Sequence, residues 1–275
     1  MNALLPRRSA RRLAALVATT AAVAGSLFVS PSASAAAAGP VTLPPAHAGF
    51  DYQIGGAYTP PAGVGVVTRD RTAAPAPGLY NICYVNAFQA QPNAEKEWDA
   101  DLLLRDGNGK VVYDGAWGEA LLDLRTAAKR TRVAAKVNGW IDECANKGYQ
   151  AVEPDNYDSF ERSRKLLTTT HAKAYISLLS AHAHQRGLAI GQKNTAELAG
   201  DRARTGLDFA VAEECGEFTE CGDYTEAFGD HVIAIEYTAK GLSNACKGWG
   251  DTLSIVRRDV QVSPLGSSGY LRQTC

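Results

Sequence analysis

The chain has 275 residues, of which 28 are basic and 29 acidic. Four arginines lie in an N-terminal segment without acids, so a mature chain lacking that segment would carry 24 basic and 29 acidic residues, a net charge of −5. This acidic balance argues against nucleic acid and anionic membranes as partners, and it would suit a cationic or neutral substrate.

The first 35 residues have the three parts of a secretory signal peptide. Arg7, Arg8, Arg11 and Arg12 form a basic segment, an Ala-rich apolar stretch follows over residues 13–29, and Ala33-Ser34-Ala35 is a small-residue cleavage site. A membrane anchor is the weaker alternative, because the stretch is rich in Ala and Thr and leads straight into the cleavage site. We therefore expect a secreted, extracellular protein with an Ala/Pro-rich disordered spacer over residues 36–48. No later stretch is apolar enough to span a bilayer.

Eight short apolar or β-branched runs follow residue 49 and alternate with helical patterns. They cover residues 50–54, 64–67, 80–85, 151–153, 188–191, 209–212, 231–235 and 252–256. Helices are predicted over residues 125–147 and 163–186, each closed by a glycine. This alternation predicts the α/β class, with a single (β/α)8 TIM-like barrel domain over residues 49–275. A doubly wound open sheet is the alternative, but no G-x-G-x-x-G motif follows any strand.

Residues 98–124 break this alternation. The sequence Asp106-Gly107-Asn108-Gly109 lies between two apolar runs, 102–104 and 111–113, and this pattern is typical of a β-hairpin. We expect a hairpin inserted after the third strand, at the rim of the barrel. Trp117 would either form an aromatic wall of a cleft there or only pack the insertion.

The chain has six cysteines, an even number that indicates disulfides in an exported protein. They are Cys83, Cys144, Cys215, Cys221, Cys246 and Cys275. Cys215 and Cys221 are close enough for a small loop, and Cys275 would fix the C-terminal segment if it pairs. The full connectivity stays open at this point. Because no C-x-x-C spacing occurs, and His182 and His184 would point to different faces of one helix, we expect no metal. The chain has no phosphate-binding loop, so we expect no cofactor, and no G-x-S-x-G motif indicates a serine nucleophile.

Acidic residues stand where two of the predicted strands end. Glu153, Asp155 and Asp158 end or follow the fourth strand, and Glu213 and Glu214 end the sixth. The C-terminal strand ends of a β/α barrel carry the catalytic residues. Glycosidic bond cleavage requires two carboxylates, one of them ionised and one holding its proton. Side-chain alternation would direct only one of the two adjacent glutamates toward the barrel axis.

Three further charged residues could belong to the same site. Asp51 lies inside the first strand, Glu236 ends the seventh, and Lys193 at the end of the fifth would supply a counter-charge. Any single acid is explained equally well by a helix cap or a salt bridge. Asp158, for example, could cap the next helix with Glu161 completing a capping box. Several acidic strand ends at one barrel mouth favour a catalytic role.

Five sequence blocks then point to a family. They are Phe50-Asp51-Tyr52-Gln53-Ile54-Gly55-Gly56, Cys83-Tyr84-Val85-Asn86, Glu153-Pro154-Asp155-Asn156-Tyr157-Asp158, Ile190-Gly191-Gln192-Lys193-Asn194 and Phe209-Ala210-Val211-Ala212-Glu213-Glu214-Cys215. In this order they resemble glycoside hydrolase family 114, the endo-α-1,4-polygalactosaminidases, from about Phe50 to Cys275. The resemblance implies a TIM-like barrel that hydrolyses α-1,4-linked galactosamine polymers from within the chain.

The resemblance also implies roles for individual residues. Asp155 and Glu213 match the family's catalytic pair, and we expect Asp155 to act as nucleophile or stabiliser and Glu213 as acid/base. The substrate-binding residues would be Asp51, Tyr84, Asn156, Lys193, Asn194, Glu214 and Glu236. Phe88 stands where a smaller residue is expected, which would change the shape of one subsite.

The sequence leaves the stereochemical course and the sugar open. A non-catalytic barrel that only binds amino-sugar polysaccharide, or a glycosidase of the same fold acting on another α-linked sugar, are the alternatives. The expected partner is a cationic, galactosamine-rich polysaccharide, and the protein is expected to be a monomer.

Overall fold

The strands and helices follow one another in the order that the sequence pattern predicts. The computed structural model describes residues 41–275, so the predicted signal peptide and the start of the spacer lie outside the described residues. The strands are β1 (Gly49–Gln53), β2 (Val64–Asp70), β3 (Tyr80–Asn86), β4 (Gln89–Ala90), β5 (Ala120–Leu121), β6 (Ala151–Asp155), β7 (Ala189–Lys193), β8 (Phe209–Glu213), β9 (Val232–Glu236), β10 (Ser254–Arg258) and β11 (Arg272–Gln273). The α-helices are α1 (Ala127–Lys147), α2 (Ser159–Arg162), α3 (Thr169–Gln185), α4 (Arg202–Thr205), α5 (Cys215–Phe218), α6 (Cys221–Phe228) and α7 (Ala239–Trp249), with 3-10 helices at Glu95–Glu97 and Ala196–Asp201.

The main sheet contains all eight predicted strands. Its order is β1-β2-β3-β6-β7-β8-β9-β10-β11, and every pair from β1 to β10 is parallel, whereas β11 is antiparallel to β10. The sheet curls so that β10 comes into contact with β1. The predicted (β/α)8 TIM-like barrel is thus confirmed, and the C-terminal ends of its strands form one mouth.

Charged side chains join the first and last parallel strands. Among residues 41–275, no hydrogen-bond ladder links β10 to β1. Instead, Asp51 Oδ1 lies 3.6 Å from Arg258 Nη1 and 3.2 Å from Arg272 Nε. Arg272 also donates a hydrogen bond to the Phe50 carbonyl at 2.8 Å. We call Asp51, Arg258, Asp259 and Arg272 the seam cluster, since it closes the barrel where backbone pairing stops.

Two apolar clusters sandwich the sheet. Phe50, Tyr52, Ile82 and Phe209 belong to the cluster inside the barrel, where alternate residues of each strand meet. The second and larger cluster lies between the outer face of the sheet and the helices, and it includes Val137 of α1 and others. Which face a strand residue occupies therefore decides whether it can reach the mouth.

The insertion between β3 and α1 contains the predicted hairpin. Arg105 and Val111 form a bridge across its turn, and the Asp106 amide donates to the Lys110 carbonyl at 2.9 Å. At its base, β4 pairs with β5 in antiparallel fashion. Buried residues of the insertion such as Leu104 and Val112 belong to the second apolar cluster. The predicted hairpin after the third strand is confirmed.

Three disulfides join all six cysteines. Cys215 pairs with Cys221, as the short spacing predicts, and Cys275 pairs with Cys246 of α7. The remaining pair, Cys83–Cys144, links β3 to α1 over a sequence separation of 61 residues. That loop contains the whole insertion.

The helix predicted over residues 163–186 begins later than expected. Arg164 and Lys165 have φ values of 56° and 64°, a left-handed conformation that no α-helix contains. The helix α3 starts at Thr169 instead, and Thr168 caps it in a capping box with His171. Asp158 precedes the separate short helix α2 without a side-chain capping bond. The predicted capping box at Asp158 is therefore wrong.

The described part of the spacer packs against the barrel. The Thr42 carbonyl accepts a hydrogen bond from the Tyr80 hydroxyl at 2.6 Å, and the Pro44 carbonyl lies 3.0 Å from His231 Nδ1. Val41 and Leu43 contact the interior cluster. Residues 41–48 are therefore part of the folded unit, contrary to the expected disordered spacer. In residues 41–275, helices of sufficient length and apolar character to cross a membrane are absent.

Candidate active site

Charged side chains from three neighbouring strands meet at the mouth of the barrel. Asp155 ends β6, Lys193 ends β7 and Glu213 ends β8. Strand alternation places all three on the interior face. The β6–β7 ladder pairs only Ala151 and Val152 of β6 before it stops. Pro154 has no N–H to extend it, so the strand ends separate where the charged groups lie.

Lys193 is the centre of this group of charges. Its Nζ lies 3.1 Å from Glu153 Oε1, 3.3 Å from Asp155 Oδ1 and 3.4 Å from Glu213 Oε2. It also donates to the Tyr52 hydroxyl at 3.0 Å. Burial acts to lower the Lys193 pKa, but the carboxylates around it raise that pKa well above its ordinary value. The ammonium therefore stays charged. Glu153, Asp155, Lys193 and Glu213 are candidates for a catalytic role, and we call them the catalytic cluster.

Asp155 is held in its ionised form. Burial acts to raise its pKa, but the Lys193 ammonium, the Tyr84 hydroxyl and the Asn156 amide together lower the pKa below its ordinary value. Tyr84 donates to Asp155 Oδ2 at 2.7 Å, on the side away from Lys193. An ionised carboxylate with fixed hydrogen-bond partners can attack an anomeric carbon or stabilise positive charge on it.

Glu213 is oriented by two polar neighbours. The Tyr237 hydroxyl donates to Oε1, and Asn194 Nδ2 donates to Oε2 at 2.9 Å. Asn194 Oδ1 in turn accepts from the Glu213 backbone amide at 2.8 Å. Because one Nζ lies 3.3 Å from an oxygen of Asp155 and 3.4 Å from one of Glu213, these two oxygens are at most 6.7 Å apart. Two carboxylates therefore face one small space.

Glu153 lies beneath this pair with a different protonation behaviour. It is fully buried, and burial raises its pKa to about 7, although Lys193 acts to lower it. Oε1 accepts hydrogen bonds from Tyr52 at 2.8 Å and from Lys193, whereas buried Oε2 has no hydrogen-bond partner among the described residues. A carboxyl group in this position holds a proton for part of the time at neutral pH.

The backbone is strained after all three charged strands. Asn156 follows β6 with φ at 67°, Asn194 follows β7 at 52°, and Glu214 follows β8 at 61°. Left-handed conformations of residues other than glycine cost free energy and cluster at functional sites. Here each one turns the chain sharply out of the barrel, so that the preceding charged side chain remains at the mouth.

A cavity of about 320 Å³ opens above the catalytic cluster. Its lining includes Tyr84, Asp155, Lys193, Asn194, Glu213 and Tyr237 from the strand ends, with Trp117 and Glu119 from the insertion. A second cavity shares Trp117, Asn194 and Glu213 with it, and a third shares Asp70 and Gln91. These shared residues connect the three cavities into one cleft. Trp117 is 52% exposed and lines the first cavity, so of its two predicted roles the aromatic wall of a cleft fits its position.

Most of the predicted site residues line this cleft. The first cavity contains Asp155, Glu213, Tyr84, Asn156, Lys193 and Asn194, and the second contains Glu214. Asp51 and Glu236 do not line it. Their strand neighbours Tyr52 and Ile235 belong to the interior cluster, so both carboxylates point to the other face of the sheet.

Both of these carboxylates are buried in structural contacts. Asp51 accepts hydrogen bonds from Gln53 and Tyr58 within the seam. Glu236 Oε1 accepts from the Gly216 amide at 2.7 Å, which fixes the start of α5. The expectation that both residues line the sugar-binding cleft therefore does not fit their positions, because each carboxylate lies on the face of the sheet away from the barrel interior.

The sequence reasoning missed Tyr237 and Glu119. Tyr237 directly follows Glu236 and lies on the interior side, so alternation along β9 could have identified it. Glu119 lies in the irregular insertion, where no period predicts its direction. Phe88, in contrast, lies away from the cleft: its ring packs against Tyr157 and Tyr175 in the outer cluster.

A group of side chains with metal-ligating atoms occurs once in residues 41–275. It consists of Cys215, Cys221 and Glu236, and its two sulfurs form a disulfide. Oxidised sulfurs are not thiolate ligands, so this group does not bind a metal in the form described.

Comparisons with known proteins agree with this geometry. The model of glycoside-hydrolase family GH114 matches residues 30–275. The crystal structure of Aspergillus fumigatus Ega3 in complex with galactosamine is similar, with 21% identity, a TM-score of 0.68 and coverage of 86% of this chain and 100% of that one. The glycoside hydrolase domain of PelA from Pseudomonas aeruginosa has 17% identity and a TM-score of 0.53, covering 80% and 97% of the two chains. A comparison with curated protein sequences found no match.

Proposed function

Because the chain belongs to glycoside-hydrolase family GH114, we propose that this glycoside hydrolase cleaves α-1,4-linked galactosamine-containing polysaccharide at internal bonds, with Asp155 and Glu213 as the catalytic pair. The observation that carries the proposal is the Lys193 ammonium between the two carboxylates at the floor of the cleft. The galactosamine complex of the similar Aspergillus protein supports the choice of sugar.

The two carboxylates take different roles in this mechanism. Asp155, kept ionised by Lys193 and Tyr84, attacks the anomeric carbon, while Glu213 transfers its proton to the leaving glycosidic oxygen. Glu213 then removes a proton from water, which attacks the same carbon and releases Asp155. Retaining glycosidases have carboxylates about 5–5.5 Å apart and inverting ones about 6.5–9.5 Å. Because the oxygens that face Lys193 are at most 6.7 Å apart, both carboxylates can reach the same anomeric carbon, and the proposed mechanism is a retaining one.

The shape of the cleft supports cleavage within a polymer. The cavity above the catalytic cluster shares lining residues with both the second and the third cavity, so the cleft has room for several sugar units of a polymer. Acidic residues line the second cavity: Asp158, Glu161, Glu197, Glu214 and Glu220. This lining supports a cationic polysaccharide as the partner, rather than nucleic acid, whose phosphates would be repelled.

The proposal also covers where the enzyme works. Three disulfides favour an oxidising compartment, and the signal-peptide pattern in the first 35 residues favours export. We propose that the mature enzyme acts outside the cell as a monomer, on an extracellular polysaccharide.

The decisive experiment measures the release of reducing ends from a panel of polysaccharides. We expect release from the de-N-acetylated α-1,4-galactosamine polymer, and a loss of about 10²–10⁴-fold in kcat for both Asp155→Asn and Glu213→Gln. Glu226→Gln is the control. It also removes one negative charge, but from an exposed position on α6, and it should retain full activity. The anomeric form of the first product, followed by NMR, tests retention.

The two alternatives give different results in the same assay. A non-catalytic binding barrel would retain the polymer in a pull-down with no release by the wild type. A glycosidase for another sugar would release ends from a different α-linked polymer of the panel, and the same two variants would abolish that release. Wild-type turnover in both variants would contradict the catalytic assignment.

A further inference from the structure

The insertion delivers a carboxylate to the cavity that the two-carboxylate mechanism does not use. Glu119 directly precedes β5 and lines the first cavity. Its position is fixed by the backbone: the Asp114 amide donates to the Glu119 carbonyl at 2.8 Å, and the Gly118 amide donates to the Asp114 carbonyl at 2.9 Å. Gly118 adopts φ of 68° in this tight loop, a conformation that glycine accepts without strain.

Neutral amides surround the Glu119 carboxylate. Asn86 Nδ2 donates to Oε1 at 2.9 Å, and Asn156 Nδ2 lies 3.3 Å from Oε2. In the amide orientation that satisfies both its oxygen and its nitrogen, buried Gln89 donates to Oε2 at 2.9 Å. Among the described ion pairs, none involves Glu119. The carboxylate is thus oriented by three elements, β3, β4 and the residue after β6, but carries no cationic partner.

The lack of an ion pair at Glu119 has an electrostatic cost. Burial raises its pKa to about 7, and the Asp155 and Asp114 carboxylates act in the same direction, whereas the Asn86 hydrogen bond and the more distant Arg162 guanidinium lower the pKa only in part. Elsewhere at the mouth, Lys193 pairs with both Asp155 and Glu213, and Arg162 pairs with Asp114 and Asp158. A cation that enters the cavity next to Glu119 would relieve the repulsion from Asp155 and restore the ionised form.

We propose that Glu119 binds the ammonium group of a de-N-acetylated amino sugar in the cleft, beside the unit that Asp155 attacks, and thereby selects such sugars over N-acetylated ones. An ammonium group is a hydrogen-bond donor with the complementary charge. An acetamido group at the same carbon is neutral and larger, so it would leave the carboxylate uncompensated. The inference rests on the proposed function and assigns a substrate-selecting residue to that same cleft.

The first test compares two substrates of equal length, a fully de-N-acetylated and a fully N-acetylated α-1,4-galactosamine oligomer. We expect Glu119→Gln to lower kcat/KM for the de-N-acetylated oligomer by about 10–100-fold, the usual effect of losing a hydrogen bond between charged groups. For the N-acetylated oligomer, kcat/KM should stay within about twofold. Glu119→Asp, which keeps the charge, should recover part of the loss, and Glu226→Gln should match the wild type on both substrates.

A second test measures binding without turnover. In a Glu213→Gln background, calorimetry with the de-N-acetylated oligomer should give an affinity about 10-fold or more weaker when Glu119→Gln is added. An equal loss for both oligomers, or unchanged affinity for the de-N-acetylated one, would overturn the role of Glu119. If the wild type binds this oligomer through Glu119 but releases no product from any galactosamine substrate, the proposed function fails while the binding role stands.

Discussion

The catalytic cluster and the seam cluster are both buried groups of charge, but they are balanced differently. In the seam cluster, two guanidinium groups, Arg258 and Arg272, face two carboxylates, Asp51 and Asp259. In the catalytic cluster, the single ammonium of Lys193 faces three carboxylates. The seam holds two strands together and needs nothing further. The barrel mouth carries an excess of acid that its own cation cannot neutralise.

This difference separates a structural from a functional use of buried charge. Buried ions require partners, and a cluster that serves only the fold can pair them completely. The proposed catalytic role requires groups in unequal protonation states, and here an ionised Asp155 lies above a Glu153 whose pKa is raised to about 7. The same acid excess suits the entry of a cationic sugar.

The largest effect should come from removing the one cation of the catalytic cluster. Lys193→Met leaves three carboxylates around an apolar side chain, and removal of one partner of a buried ion pair costs about 3–5 kcal/mol. Activity should fall by at least about 100-fold, since Asp155 loses the charge that keeps it ionised. Urea unfolding and reducing-end assays measure the two effects. Lys173→Met, which breaks the partly exposed pair with Asp201, should cost at most about 1 kcal/mol; an equal cost for both variants would contradict the comparison.

Breaking the seam should affect stability alone. Asp51→Asn leaves the fully buried Arg258 guanidinium with reduced compensation, and we expect a loss of about 3 kcal/mol in the free energy of unfolding. Because the carboxylate faces away from the cleft, kcat/KM should change less than about threefold. Chemical denaturation and steady-state kinetics check both. A fall in kcat/KM with unchanged stability would instead return Asp51 to the substrate-binding role that the family resemblance implies.

Replacing the buried Glu153 carboxyl group should change the pH dependence of the free energy of unfolding. The Glu153 pKa is raised by burial from 4.5 to about 7, so the folded protein binds more protons than the unfolded chain between these values. The contribution of Glu153 to the free energy of unfolding is therefore complete below about pH 4.5 and is lost as the pH rises toward 7. Glu153→Gln removes this loss, so its stability relative to wild type should increase by about 2–3 kcal/mol from pH 4.5 to 8. Denaturation curves at both values test this. A constant difference between the two proteins would show that Glu153 titrates normally.

The smallest effect on the fold should come from the aromatic wall of the cleft. Trp117 is 52% exposed and belongs to neither the catalytic cluster nor the seam cluster, so Trp117→Ala should change the free energy of unfolding by no more than about 0.5 kcal/mol. Loss of its contact with sugar should raise KM by about 3–10-fold. Tyr113→Ala, an exposed aromatic of the same insertion that does not line the cavity, should leave KM unchanged. Equal KM values for the two variants would remove Trp117 from the binding surface.

Sequence periodicity was sufficient for the barrel. The eight apolar runs correspond to β1 to β3 and β6 to β10. Parallel strands are buried on both faces, so each one is visible in the sequence as a short, nearly continuous apolar run. The inserted hairpin was recognisable from its turn residues, Asp106 to Gly109, between two apolar runs. The late start of α3 was not, since the left-handed conformation of Arg164 and Lys165 depends on tertiary contacts rather than on their residue types.

The sequence predicted which residues line the candidate site better than it predicted how they are arranged. Asp155 and Glu213 face the cleft as strand-end reasoning expects, but the place of Lys193 between them depends on the curvature of three strands, which no local pattern encodes. Asp51 and Glu236 entered the expected set through their positions on predicted strands and through the family resemblance, neither of which fixes the face of the sheet that a side chain occupies. The seam was not foreseen, because β11 contains two residues, too few to give a period.

The Cys83–Cys144 disulfide has a practical consequence for protein engineering. It connects β3 to α1 directly, so the segment between them, which carries Trp117 and Glu119, leaves and rejoins the barrel at covalently fixed points. The exposed positions of that segment, Trp117 among them, can be varied in a library while Asp155, Lys193 and Glu213 remain untouched. Directed evolution toward other polysaccharides would begin there.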